Sequence, residues 1–228
     1  IINKKTDIIS YGLKTSDIHL YNKKNDIIIK FFSKKYIIKF LNYSYIETQN
    51  IACAIACCYC LGIEISQIIK NLKKLNNPPG RLEKIKNKKN LKIFVDYAHT
   101  PEALKQVILN QTFNNIKPNI LFGCGGNRDQ NKRSKMGFIA NKYANEVYIT
   151  DDNPRDEKPE YIRKSIIRSC SRAVEIPNRK KAIFYAIKVL EKNKVLIIAG
   201  KGHEKYQIIK ESKKNFDDVK IIKLALKK

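Results

Sequence analysis

The stretch LKIFVDYAHTPEALKQVILN, Leu91 to Asn110, carries the pattern that decides the fold. Its first half is a β-branched and aromatic run of strand length, and Pro101 to Asn110 has the apolar spacing of a helix. Between them lies a polar tail, DYAHTP, Asp96 to Pro101. Further apolar runs follow at Asn119 (NILFG), Glu146 (EVYIT) and Lys194 (KVLIIAG), with helical patterns near Lys132–Ala144, Pro159–Ser169 and Asn178–Lys192. Strands alternating with helices of this length predict βαβ units, an α/β fold with a mainly parallel sheet covered by helices on both faces. A last helix is expected to start at Asp217 or Asp218, whose carboxylates suit a helix N-terminus.

Upstream the period changes. DIISYGLK, NDIIIKFF and KYIIKFL, between about Asp7 and Leu41, read as short strands of a small antiparallel sheet. Helical patterns follow over Thr48–Leu61 and Ser66–Leu75. The prolines and glycine of NNPPG, Asn76 to Gly80, forbid a continuing helix. A domain boundary is placed there, dividing residues 1–77 from 78–228.

Composition bounds the rest. The 228 residues are 43% hydrophobic and 29% charged, ordinary for a folded chain, but the formal net charge is +25. The excess is scattered lysine beside Asn and Ile, as A/T-rich codons produce, and no basic helix or aromatic-flanked stripe accompanies it. No nucleic-acid partner is therefore expected. Four of the six cysteines fall in IACAIACCYCLG, Ile51 to Gly62, read as a buried helix with thiols as small apolar fillers. With no signal peptide and no apolar run long enough for a bilayer, no membrane partner is expected and the reducing cytoplasm is the expected compartment.

In a mainly parallel sheet the segments that follow the strands share one edge, where such folds bind ligands. Here those segments are DYAHTP, GCGGNRD (Gly123–Asp129), TDDNPR (Thr150–Arg155) and AGKGHE (Ala199–Glu204). Arg128 and Arg155 can each grip a carboxylate with two parallel hydrogen bonds, and Asp152 and Glu204 can hold ammonium groups. The set suits a zwitterion with two carboxylates and two amines; alternatively these charges pair with one another. His99 and His203 also fall on this rim, without the Ser or Cys partner of a hydrolase triad. The chain contains no G-x-x-x-x-G-K-[ST] phosphate loop.

Five segments, PPGRLE, DYAHTPEAL, LFGCGGNRDQNKRSKMG, TDDNPRDE and AGKGHEKYQ, stand in an order and spacing that resembles the C-terminal domain of the Mur ligases, over about Tyr11 to Asp218. Within that family the likeness is to the members that add diaminopimelate to the peptidoglycan stem peptide. The resemblance implies a Rossmann-like C-terminal domain over 78–228 and, over 1–77, the tail of a central ATP-binding α/β domain. It implies ATP with Mg²⁺ as cofactors, and UDP-N-acetylmuramoyl dipeptide and meso-diaminopimelate as substrates of an amide ligase without a covalent enzyme intermediate.

By the same resemblance Arg81 lies near the nucleotide phosphates, Asp96 binds the ribose hydroxyls and Asn50 contacts adenine. Arg128, Asp152, Asn153, Pro154, Arg155, Gly200 and Glu204 fall where the family binds the incoming amino acid, with Arg155 on the distal carboxylate that lysine lacks. No metal ligand is expected in this chain. SYIETQN departs from the family's GxFNxxN pattern, keeping Asn50 but writing Glu47 at the earlier Asn. The first residue is Ile and Met136 is the sole methionine, so a piece of a longer protein is expected, inactive in ligation by itself and monomeric. Two other readings are an amino-acid-binding relic that ligates nothing and a basic nucleic-acid-binding protein.

Overall fold

A computed structural model describes residues 8–24, 26–39, 45–75 and 78–227. The chain divides into two compact units, residues 1–76 and 77–228.

In the first unit, β1 (Ile18–Lys23), β2 (Asp26–Phe31) and β3 (Lys34–Ile38) form an antiparallel meander, with Ile18 opposite Phe31 and Ile27 opposite Ile38. Alternate residues Ile18, Leu20, Ile27, Ile29 and Phe31 are buried with Ala52, Ile55 and Ala56 of α1 (Tyr45–Cys60) and Ile68 and Leu72 of α2 (Ile65–Leu72). The described part of the run DIISYGLK, Ile8 to Lys14, is not a strand. Tyr11 makes a single bridge to Ile18, because Gly12 turns the chain at φ +102 and Asp17 accepts both the N–H and the hydroxyl of Ser10. Asp7, Asn25, Phe40 and Leu41 of the expected strands lie outside the described residues. The thiol reading holds only in part: Ala52, Ile55 and Ala56 carry the core face of α1, Cys58 packs against that core and Cys53 is half-buried, while Cys57 and Cys60 are exposed.

The second unit runs β4 (Glu83–Lys84), β5 (Lys92–Asp96), α3 (Pro101–Asn110), β6 (Asn119–Phe122), α4 (Asn131–Tyr143), β7 (Val147–Ile149), α5 (Pro159–Ile167), β8 (Val174–Glu175), α6 (Arg179–Lys188), β9 (Val195–Ala199), β10 (Tyr206–Ile209), β11 (Ser212–Asn215) and α7 (Asp218–Lys227). Its central sheet has the order β4-β5-β9-β6-β7-β8, parallel throughout except for the antiparallel edge strand β4. β9, the last of these in sequence, lies between β5 and β6, with Ile93 opposite Leu196 and Ile120 opposite Ile197.

The pleat divides the core into two. Ile120, Phe122, Ile149, Ile197 and Ala199 pack with Leu104 and Ile108 of α3, Met136 and Ala140 of α4, and Ile162 and Ile166 of α5. Their neighbours Leu121, Tyr148, Leu196 and Ile198 point the other way, onto Ala182, Ile183 and Ala186 of α6 and Ile221 and Ile222 of α7. Each fully buried isoleucine contributes about 1.5–3 kcal/mol relative to exposure, and β9, like β6 and β7, is buried on both faces.

Helix starts are set locally. Thr100 accepts the Ala103 N–H with Pro101 at the first helical position of α3, and Asn178 accepts the Lys181 N–H at the start of α6. At the start of α7, Asp217 accepts the Lys220 N–H, while Asp218 turns inward to Arg179.

Candidate functional site

All four polar tails come together at the carboxyl ends of β5, β9, β6 and β7. Tyr97, His99, Thr100, Gly125, Arg128, Asp129, Asp152, Asn153, Arg155, Gly200 and Glu204 line one cavity of about 590 Å³, joined by Lys132 of α4 and Tyr206 of β10. Close backbone approach makes this possible. A Cβ on Gly123 would lie 2.2 Å from the Thr150 carbonyl oxygen, and one on Gly126 would lie 1.9 Å from that of Pro154. The loop after β6 therefore rests directly on the turn after β7, fastened by the Gly126 N–H to the Asn153 carbonyl at 2.9 Å.

The floor is charged. Lys201, wholly buried, points its ammonium at Asn153 Oδ1 (3.0 Å), Glu204 Oε2 (3.2 Å) and Asp152 Oδ1 (3.5 Å). Asn153 is held at both ends, since its Oδ1 also accepts the Ile208 N–H and its Nδ2 donates to Glu204. Gly200 sits at φ +109, and a Cβ there would be 2.7 Å from Asp152 Oδ2. Pro154 is buried and does not line the cavity; it shapes the turn that aims its neighbours.

The arginines are different. Arg155, in the left-handed region at φ +52, donates from Nη1 to the carbonyls of Gly126 (2.8 Å) and Asn153 (3.4 Å). Its backbone bridges to Ile209 of β10, so the hairpin of β10 and β11 holds the residue in place. Arg128 is exposed on the loop above. Among the described residues neither is paired with a carboxylate.

Beside the cavity, Asp96 accepts the N–H groups of Leu82 and Ala98, each at 2.7 Å. Burial pushes its carboxyl above the usual range, against those two amides and the nearby Arg81. The exposed Arg81 guanidinium lies 4.6 Å from the centre of the Tyr97 ring, which in turn packs against His99 and His203. Asn50 is exposed on α1, in the other unit. Sequence reasoning grouped the amino-acid residues but left Lys201 unassigned and passed over Tyr206 and Lys132. A lysine in a glycine-rich loop gives no sign of being buried, and β10 was not foreseen.

Among the described residues no helix is long and apolar enough to cross a membrane, and no group of His, Cys, Asp or Glu could hold a metal ion.

Comparison with known proteins agrees with this geometry. Residues 80–202, more than half of the chain, match the family described as Mur ligase, glutamate ligase domain. The UDP-N-acetylmuramoyl-L-alanyl-D-glutamate–2,6-diaminopimelate ligase of Rickettsia montanensis is 38% identical over 99% of this chain and 47% of its own length. A solved structure of an enzyme of that name superposes with a TM-score of 0.64 at 30% identity, over 96% of this chain and 47% of the other. The MurF ligase of Thermotoga maritima, solved in complex with ADP, shares the fold at 16% identity with a TM-score of 0.64, over 96% of this chain and 48% of the other. The chain spans about two-fifths to a half of the length of the curated relatives it matches. The motif series, the parallel sheet and the family match together establish that the chain belongs to the Mur ligase family.

Proposed function

We propose that the chain is the carboxyl-terminal half of an ATP-dependent amide ligase that joins meso-2,6-diaminopimelate to UDP-N-acetylmuramoyl-L-alanyl-D-glutamate. It would act as a monomer in the cytoplasm, with residues 1–77 the tail of a central ATP-binding domain and 78–228 the C-terminal domain.

The observation that carries this reading is the charge complement of the cavity. Arg128 and Arg155, unpaired with any described carboxylate, suit two carboxylates. Asp152 and Glu204 share the single ammonium of Lys201, so one formal negative charge is left for one ammonium of the ligand. Asp129 and Lys132 add one charge of each sign. Diaminopimelate with one amine deprotonated carries two carboxylates, one ammonium and one neutral amine, and only a neutral amine is a nucleophile.

In this reading Arg155 grips the distal carboxylate, Asp152 and Glu204 hold the distal ammonium, and Gly200 keeps Asp152 uncovered. The residues orient the free amine, and orientation is the main work asked of them. Lysine, without the distal carboxylate, would leave Arg155 unpaired. Asp96 has used two of about four acceptor positions and Arg81 is exposed, so the pair fits ribose hydroxyls and phosphates respectively. Asn50 is the proposed adenine contact. When bound, ATP with Mg²⁺ supplies the phosphoryl group that activates the acceptor carboxylate.

The test is ligation by the full reading frame that contains this chain, read by mass spectrometry of the tripeptide product. Product with meso-diaminopimelate, and little with lysine, is expected; the isolated chain should give none. Equal incorporation of lysine would overturn the specificity, and no ATP-dependent product with any amino acid would overturn the ligase.

A further inference from the structure

Arg133 of α4 is 3% exposed and does not line the cavity. Its Nη2 donates to Glu157 Oε1 at 2.8 Å and to the Gly125 carbonyl at 3.3 Å, while its Nε has no partner among the described residues. The same Glu157 oxygen accepts the Asn127 N–H at 2.6 Å, and the Asn127 side chain donates to Asp156 at 2.8 Å. Asn127 itself is left-handed, at φ +51. Two loops are thereby stitched together. One carries Arg128 directly after Asn127, and the other carries Arg155 two residues before Glu157.

We infer that Arg133 and Glu157 are positioning residues, a brace that sets the Asn127 turn and with it the spacing of the Arg128 and Arg155 guanidinium groups. That spacing selects the distance between the two carboxylates the site accepts, so the inference rests on the reading of the cavity given above. Packing alone does not account for Arg133. A methionine would fill the same space without burying an unpartnered nitrogen, so the guanidinium is retained for its two acceptors. Lysine, with one carboxylate, engages only one of the two guanidinium groups and does not depend on their spacing.

The test uses the isotopically labelled 228-residue chain as wild type, Arg133→Met, Glu157→Gln and Arg133→Lys. Hydrogen exchange of the Asn127 amide reports the brace, and titration with meso-diaminopimelate and with L-lysine reports the site. In Arg133→Met and Glu157→Gln the Asn127 amide is expected to exchange at least about tenfold faster, and the Kd for meso-diaminopimelate to rise about tenfold or more, with L-lysine little changed. Arg133→Lys, which keeps the charge but not the fork, should recover part of both. Glu157→Gln is isosteric and partly exposed, so it carries the test if Arg133→Met does not fold. Unchanged Asn127 exchange, or equal weakening of both amino acids, overturns the inference. If the wild-type chain binds neither amino acid, the reading of the cavity as the amino-acid site falls for the isolated chain, and the Asn127 exchange alone decides the brace.

Discussion

The Lys201 ammonium donates to the side-chain oxygen of Asn153 across 3.0 Å, joining residues 48 positions apart in the chain. Through this contact and those to Asp152 and Glu204, the loop after β9 and the turn after β7 share one buried cation.

Lys201→Met should therefore act on more than charge. It strands two acids around an apolar side chain, and breaking a buried pair by removing one partner costs about 3–5 kcal/mol. Urea unfolding monitored by circular dichroism checks this; a loss under about 1 kcal/mol would show that water already screens the cluster.

Arg155→Met should remove the preference for a second carboxylate. Loss of a hydrogen-bonded charge contact of this kind costs about 2–5 kcal/mol of binding. Calorimetric titration should show affinity for meso-diaminopimelate falling to that for L-lysine. Retained discrimination would place the distal carboxylate elsewhere.

Gly126→Ala introduces a methyl group 1.9 Å from the Pro154 carbonyl oxygen, so backbone must move. A cost of about 1–3 kcal/mol is expected, typical of forced insertion into packed structure. A lowered thermal midpoint is the readout, and an unchanged one would mean that the loop after β6 yields freely.

Hydrogen bonding from Arg133 is the main influence holding the Glu157 carboxyl below its ordinary value, opposed by burial. A depressed pKa in the folded state gives stability that is present above the unfolded value and is lost as pH falls through the folded one. The stability advantage of wild type over Glu157→Gln should therefore be full at neutral pH and fade on acidification below the ordinary glutamate range. Urea midpoints measured across pH 2–7 would reveal the convergence; a gap independent of pH would mean that the bridge is not what titrates.

Burial pushes the Cys124 thiol up to about 12. A thiol reagent at pH 8 should label the exposed Cys57 and Cys60 while leaving Cys124 unmodified until the chain unfolds. Peptide mapping after timed alkylation distinguishes the two.

Strand and helix periods were legible in β5, β6, β7 and β9 and in α3 to α6, because each buries an apolar face long enough to register. The edge strands β4 and β8 have two residues each, too few to show a period. β11 is Ser-Lys-Lys-Asn, wholly exposed, and reads as a polar loop until it pairs with β10. Residues that lie close together on the rim were foreseeable from the tails of parallel strands. What Lys201, Arg133 and Arg179 do was not, since a basic side chain looks the same in sequence whether solvated or buried. Arg179, 2% exposed, pairs with a buried Asp218 and donates to the Ala199 carbonyl just behind Gly200, a link between helix starts that no local pattern announces.

The placement of β9 between β5 and β6 has a consequence for biosynthesis. As the chain leaves the ribosome, β5 and β6 are made about 75 residues or more before the strand that separates them, and both wait with open hydrogen-bonding edges. The rim cannot close until Val195–Ala199 has emerged. Nascent chains stalled before that strand should be protease-sensitive and prone to self-association, whereas those extended through α7 should resist both. The site, drawn from all four tails, would then become functional only after the last of its strands had emerged.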